Sequence, residues 1–271
     1  TTDSLTSLDP PKVWSYYQIN LYTPDEIKSD LAWRASAVGN GIAFIGNVYF
    51  DGYSHPDMMI YSGAGETDSG SAFPQWGTFP TRSNIIKMPS GNGKITALEW
   101  YGDRILQFRD RALYIVNVQD VTKPIVEGVY PGMGCHGEWQ VAKTPFGVAW
   151  INDNGWYFYD TSAGKAISLT IGRIDTEDFN SDSTSKIGYD DRAKTLIIGN
   201  YSQKDSVTNY SYAYNFTTDS WSTWLANQPY TPKSNFAIDN NNYLVGSDEN
   251  FGTTTTLDIQ RWDRVPTSGV D

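Results

Sequence analysis

The sequence predicts an all-β fold, a β-propeller of five blades with six as the alternative. Three observations carry this. First, a unit of apolar run, polar turn and second apolar run recurs, with turns centred near Asn40, Gly102, Phe146, Asp191 and Asn240, at intervals of 62, 44, 45 and 49 residues. A sheet unit repeated at this period marks a propeller, in which no blade buries its faces alone. Second, the 271 residues include 18 Tyr, 10 Trp and 11 Phe, side chains that fill a pleated surface. Third, no apolar run approaches the ~20 residues of a membrane helix.

The elements follow in order. Residues 1–11 are polar, end in Pro10-Pro11 and read as a linker, so the chain is expected to be cut from something longer. The propeller is expected over 12–263 and a polar tail over 264–271. Val13–Leu21 reads as an aromatic-rich strand that completes the last blade. Thr23–Lys28 opens with a cap and Pro24, as one helical turn would. Leu31–Val38 and Gly41–Phe50 form a hairpin across Gly39-Asn40, followed by Met58–Tyr61.

Residues 62–84 are rich in Gly, Ser, Thr and Pro and lack periodicity, so they are expected to be a long surface loop, a place where function concentrates. A hairpin over Gly91–Gly93 comes next. Strands are then expected at Ile95–Trp100, Arg104–Phe108, Leu113–Val118 and Ile125–Tyr130. The cleanest triplet is Trp139–Ala142, Gly147–Ile151 and Trp156–Tyr159, joined by Thr144–Gly147 and Asn152–Gly155. Arg173–Ser185 reads as loop or short helix. The later strands are Lys186–Tyr189, Leu196–Tyr201, Ser211–Phe216, Trp221–Trp224, Asn235–Ile238, Tyr243–Ser247 and Thr255–Trp262.

Between the strands, Val38, Phe44, Leu98, Leu106, Val141, Val148, Trp150, Ile198 and Val245 flank the repeated turns and are expected to be buried. Trp33, Trp100, Trp139, Trp150 and Trp156 fall in expected strands and should pack between blades.

Charge narrows the function. The net charge is -11 without a basic block, which opposes nucleic-acid binding and adhesion to anionic membranes. The single Cys135 excludes an internal disulfide. Zinc needs about four Cys, His or carboxylate ligands. The chain offers His55, Cys135 and His136, and the adjacent pair would face opposite sides of a strand. No histidine lies in a nucleophile-elbow context. Glycoside hydrolysis needs two carboxylates at a set separation. Asp9-Pro10 has a superficial resemblance to the opening of some five-bladed glycosidases, but its flanks suit a linker, and most other acids sit in turns. Asp175–Asp182 and Asp239–Asn250 fit no calcium-loop template. Sequons at Asn200, Asn209 and Asn215 lie beside expected strands and read as chance. Tyr214–Trp221 resembles the outer hairpin of a kelch blade, without that motif's Gly-Gly partner. No metal or cofactor is expected.

Residues 41–160 resemble the β-propeller of tailed-bacteriophage tail and virion proteins of the tail-nozzle kind. The resemblance lies in Ile45–Phe50, Met59–Ser62, Gly93–Phe108, Leu113–Val116 and Gly134–His136, then Thr144–Tyr157, taken in that order. Ile105 and His136 depart mildly from the family pattern, and the likeness fades after residue 185. It implies a virion-located structural module, not an enzyme. Its partners would be other tail subunits or copies of itself in a homo-oligomeric ring. A glycan- or receptor-binding propeller is the alternative, and a glycoside hydrolase ranks below it. The expected interaction loop is Ser62–Asn84, with Phe73, Trp76 and Phe79, because exposed aromatics on a loop are costly unless covered.

Overall fold

The structure is a computed structural model. It describes residues 31–62, 79, 84–88, 91–174, 183, 185–199, 210–225, 237–238, 244–248 and 258–261. The expected linker 1–11, the strand Val13–Leu21 and the turn at Thr23 lie outside these, as does the tail. The described residues form antiparallel sheets, joined by one short 3-10 turn, Glu138–Gln140. Contacts divide the chain into two units, 1–134 and 135–271.

The first unit holds two four-stranded sheets. One is β1 (Ala32–Gly39), β2 (Ile42–Phe50), β3 (Tyr53–Tyr61) and β4 (Ile85–Lys87), paired in that order. Asn40 (φ 52°) and Gly41 (φ 73°) carry the β1–β2 turn, both in the left-handed region that a two-residue hairpin demands. Asp51 (φ 56°) and Gly52 (φ 76°) repeat the device into β3. The second sheet is β5 (Ile95–Tyr101), β6 (Arg104–Arg109), β7 (Ala112–Asn117) and β8 (Ile125–Pro131).

The two sheets of this unit share a core of Phe44, Met59, Ile86, Ile95, Leu98, Trp100, Ile105 and Val116. Phe44 stacks on Trp100 with centroids 5.7 Å apart. A Cβ on Gly39 would fall inside the Trp100 indole, so this position admits no side chain without moving the ring. Asn47 lies on β2 opposite the irregular stretch 56–58 of β3, has φ 55°, and donates from Nδ2 to the Ile95 carbonyl at 3.0 Å. β2 is thereby fastened to the start of β5 where β3 departs from regular pairing.

The second unit holds β9 (Val141–Thr144), β10 (Gly147–Asn152), β11 (Gly155–Asp160) and β12 (Lys165–Ser168) in one sheet. A further four-stranded sheet comprises β13 (Lys186–Asp190), β14 (Thr195–Gly199), β15 (Tyr210–Asn215) and β16 (Ser220–Leu225). A three-stranded sheet follows, β17 (Ala237–Ile238), β18 (Leu244–Asp248) and β19 (Asp258–Arg261). Ala149, Ile151, Trp156, Phe158, Ile187, Leu196 and Ile198 form its main described core.

Several expectations need correction. Phe44, Leu98, Leu106, Val148, Trp150 and Ile198 are buried, but Val38 is 71% exposed and Val141 is half-buried. Val38 alternates with Ala37 and Gly39, which face the Trp100 side of the sheet, so its own side chain points to the opposite, solvent-facing side. The burial of Val245 lies outside the described side chains. Gly91–Gly93 is no hairpin: β4 pairs with β3 and β5 with β6, so the segment links two sheets. Trp139 lies in the 3-10 turn and not in a strand, its Nε1 donating to the Ser183 carbonyl at 3.0 Å.

Candidate functional site

The segment 62–84 enters between β3 and β4, and its two ends are tied together. Tyr61 N–H donates to the Asn84 carbonyl at 3.0 Å. Ser62 is buried; its N–H donates to the Ala43 carbonyl at 2.8 Å and its Oγ accepts from the Ala43 N–H at 3.0 Å. Buried backbone groups at the loop base are thus paired, as burial requires.

Of the three aromatics singled out here, Phe73 and Trp76 lie outside the described residues. Phe79 is buried in a cluster with Leu31, Ile45, Val48, Phe50, Met58 and Ile60, and its ring lies 6.2 Å from Trp33. Its own domain covers it. Phe79 is therefore an anchor that fastens the segment to the sheet, and any contact role falls to Phe73 and Trp76. A lone aromatic before Pro80 gives no periodic signal, so the sequence could not separate anchor from contact residue.

Polar clusters elsewhere serve the fold. Arg109 is fully buried at the end of β6, its Nε donating to Gln107 Oε1 at 3.1 Å and its guanidinium 4.7 Å from the Tyr114 ring centroid. Burial lowers its pKa, with the nearby Tyr114 and Asp57 acting against that. Arg173 forks onto Asp219 with two bonds of 2.5 and 3.1 Å, and Tyr214 OH donates to the same carboxylate at 2.5 Å. Those bonds lower the Asp219 pKa. Tyr214 is pushed up to about 12, first by burial and then by Asp219.

Cys135 is buried with its thiol on the Gly137 carbonyl, so it is not presented to solvent. His136 Nε2 lies 3.0 Å from Asp153 Oδ1, and the His136 N–H donates to Gln140 Oε1. His55 stacks on Phe50 at 4.5 Å. Among the described residues no three His, Cys, Asp or Glu side chains converge as metal ligands would. The stretch Asp175–Asp182 lies outside those residues, as do 239–243 and 249–250 of Asp239–Asn250. The Asn215 amide donates to the Ala193 carbonyl and to Thr195 Oγ1, and its Oδ1 accepts from the Thr217 and Thr218 N–H groups, which accounts for this sequon residue locally. Asn200 and Asn209 are outside the described residues.

No protein-family model matches the chain, and no curated protein matches it. Solved structures do. The extracellular domain of a protein described as a hybrid two component system from B. thetaiotaomicron matches with a TM-score of 0.51 and 14% identity, over 92% of this chain. The chain spans only 28% of that structure's length. A Lactobacillus plantarum protein gives a TM-score of 0.47 at 13% identity, covering 80% of this chain and 78% of its own. A luciferin-regenerating enzyme gives 0.41 at 10% identity, covering 82% and 70%. At such identities the likeness is one of fold. With its repeated four-stranded antiparallel sheets, the chain is an all-β protein of β-propeller-like fold.

Proposed function

We propose that this chain is a structural and interaction module of a tailed-phage virion, a five-bladed propeller acting through protein–protein contacts and not as an enzyme. The observation that supports this is the shared order of segments from Ile45 to Tyr157. Most of them fall on sheet elements: Ile45–Phe50 within β2, Met59–Tyr61 of Met59–Ser62 in β3, Ile95–Phe108 of Gly93–Phe108 across β5 and β6, Leu113–Val116 in β7, and Thr144–Tyr157 from β9 into β11, while Gly134–His136 lies outside the strands. Its partners are other tail subunits or copies of itself in a ring. The acidic balance of -11 suits a module that does not hold nucleic acid.

The test removes residues 63–78 and keeps Phe79 as the anchor. The shortened protein should hold its β-rich circular dichroism spectrum and assemble more weakly with neighbouring virion subunits. Normal assembly of the shortened chain overturns the reading. So does cleavage of a polysaccharide by the wild type at a rate abolished by one Asp or Glu substitution.

A further inference from the structure

Outer strands of sheets are normally short, charged or covered, because their unpaired N–H and C=O groups invite another chain. β4 has three residues, β12 four and β16 six, whereas β8 has seven. Among the described residues no strand pairs with the outer edge of β8, which is bonded to β7 alone. It also exposes Ile125 at 62%, Val126 at 38% and Val129 at 44%.

The one charged residue of β8 is turned away from that edge. Ile115 pairs with Gly128 and Val116 with Val126, so Glu127 is the extra residue of a bulge. Its carboxylate accepts from Arg104 Nε at 2.5 Å and Nη2 at 3.2 Å, and from Asn117 Nδ2 at 2.8 Å. These bonds lower its pKa, so it stays ionised and held against its own sheet. The bulge and the closing Pro131 blunt the two ends of this edge, and Gly128–Tyr130 between them is regular strand paired to β7 alone among the described strands.

Charge indicates the kind of occupant. Around the Ile125 end stand three carboxylates, Asp103, Asp120 and Glu127, against two cations, Arg104 and Lys123. Toward the Pro131 end, Asp110 and Arg111 precede Ala112, the partner of Pro131, and the Lys94 N–H donates to Asp110. The chain as a whole carries -11, so a second copy is repelled and a basic segment attracted.

We propose that β8 is a docking edge that accepts an extended segment of a different chain as an added strand, with apolar side chains at alternate positions and Lys or Arg at its ends. Main-chain bonds along the edge would supply affinity, and contacts with Val126 and Val129 would supply register. This rests on the contact-module reading and names a surface and partner for it.

The probe is a synthetic peptide, acetyl-Lys-Val-Thr-Val-Thr-Val-Lys-amide, added to the full chain and followed by amide hydrogen exchange. At saturation, exchange over 125–131 should slow by about tenfold, while β12 amides are unaffected. The dissociation constant should rise with added salt, and by about tenfold in Val129→Lys. Val129 is partly exposed, so Lys is compatible with folding; Val129→Thr, which keeps the strand neutral, should bind like wild type. Absence of protection at 125–131, or equal protection in Val129→Lys, overturns the proposal. Protection that rises with protein concentration without peptide identifies a second copy as the occupant and overturns it too. Failure here is separable from failure of the virion reading, because the assembly test above reads residues 63–78 and not β8.

Discussion

The outer strands β8 and β12 end two sheets of the same four-stranded pattern and meet solvent differently. β12 is four residues, begins with Lys165, and turns Ile167 onto the core of its own unit. Glu127 aside, β8 is neutral and apolar over seven residues, and that carboxylate is clasped to Arg104. β12 is short and begins with a charge, whereas β8 is longer and, among the described residues, has no strand on its outer edge. The difference shows that outer strands of one repeated sheet pattern can differ in length and in exposed apolar surface.

The largest expected effects lie in the core beneath these edges. Trp150 is fully buried and stacks on Tyr157 at 5.6 Å. Trp150→Ala should lower unfolding free energy by ~3–5 kcal/mol in a denaturant titration; a change below about 1 kcal/mol would show that it is not core. Next, Phe79→Ala should cost about 3 kcal/mol by the same measurement, whereas the exposed Val38→Ala should fall within about 0.5 kcal/mol. Equal effects at Phe79 and Val38 would refute the anchor assignment.

Asn47 is a smaller test. Asn47→Ala removes the bond to the Ile95 carbonyl and places a Cβ-bearing residue without a local polar group at positive φ. The expected cost is about 1–3 kcal/mol, less in Asn47→Gly, which keeps the conformation. A Gly variant less stable than Ala would contradict the conformational half of this argument.

Smaller again is the alkaline response. The Tyr214 and Tyr189 phenols are raised from 10.0 to about 12, burial being the first cause for each. A raised folded pKa means that the contribution is fully present below the unfolded value and is lost as pH rises through about 10 to 12. Stability of the wild type should therefore fall over that window, and less steeply in Tyr214→Phe. An unchanged slope would remove Tyr214 from the account. At the foot of the scale, no DNA binding is expected at physiological salt, and micromolar affinity in a shift assay would overturn the charge argument.

Much of the fold was legible because turn chemistry is local. The Gly-Asn-Gly run at 39–41 and Asn152–Gly155 announce their hairpins through residue type, although the first turn is Asn40-Gly41 and not the expected Gly39-Asn40, Gly39 closing β1. The start of β3 was not legible, since Pro56 argues against a strand. The register passes from Gly46–Met59 to Val48–His55, so Pro56 falls in the irregular stretch where a missing N–H is tolerated. β12 was missed because four residues give too few alternations to register. The candidate loop was legible as a loop, but Phe79 was not legible as its anchor, because burial by a distant sheet leaves no trace in neighbouring sequence. Nor could alternation alone show that β8 is an edge, since its partner strands decide that.

The most direct test compares β8 and β12 in intact particles of the virion proposed above, by amide hydrogen exchange against the isolated protein. The account predicts slowed exchange over Ile125–Pro131 in the particle and unchanged exchange over Lys165–Ser168. Equal exchange at β8 in the free and assembled states, or protection confined to β12, would contradict it.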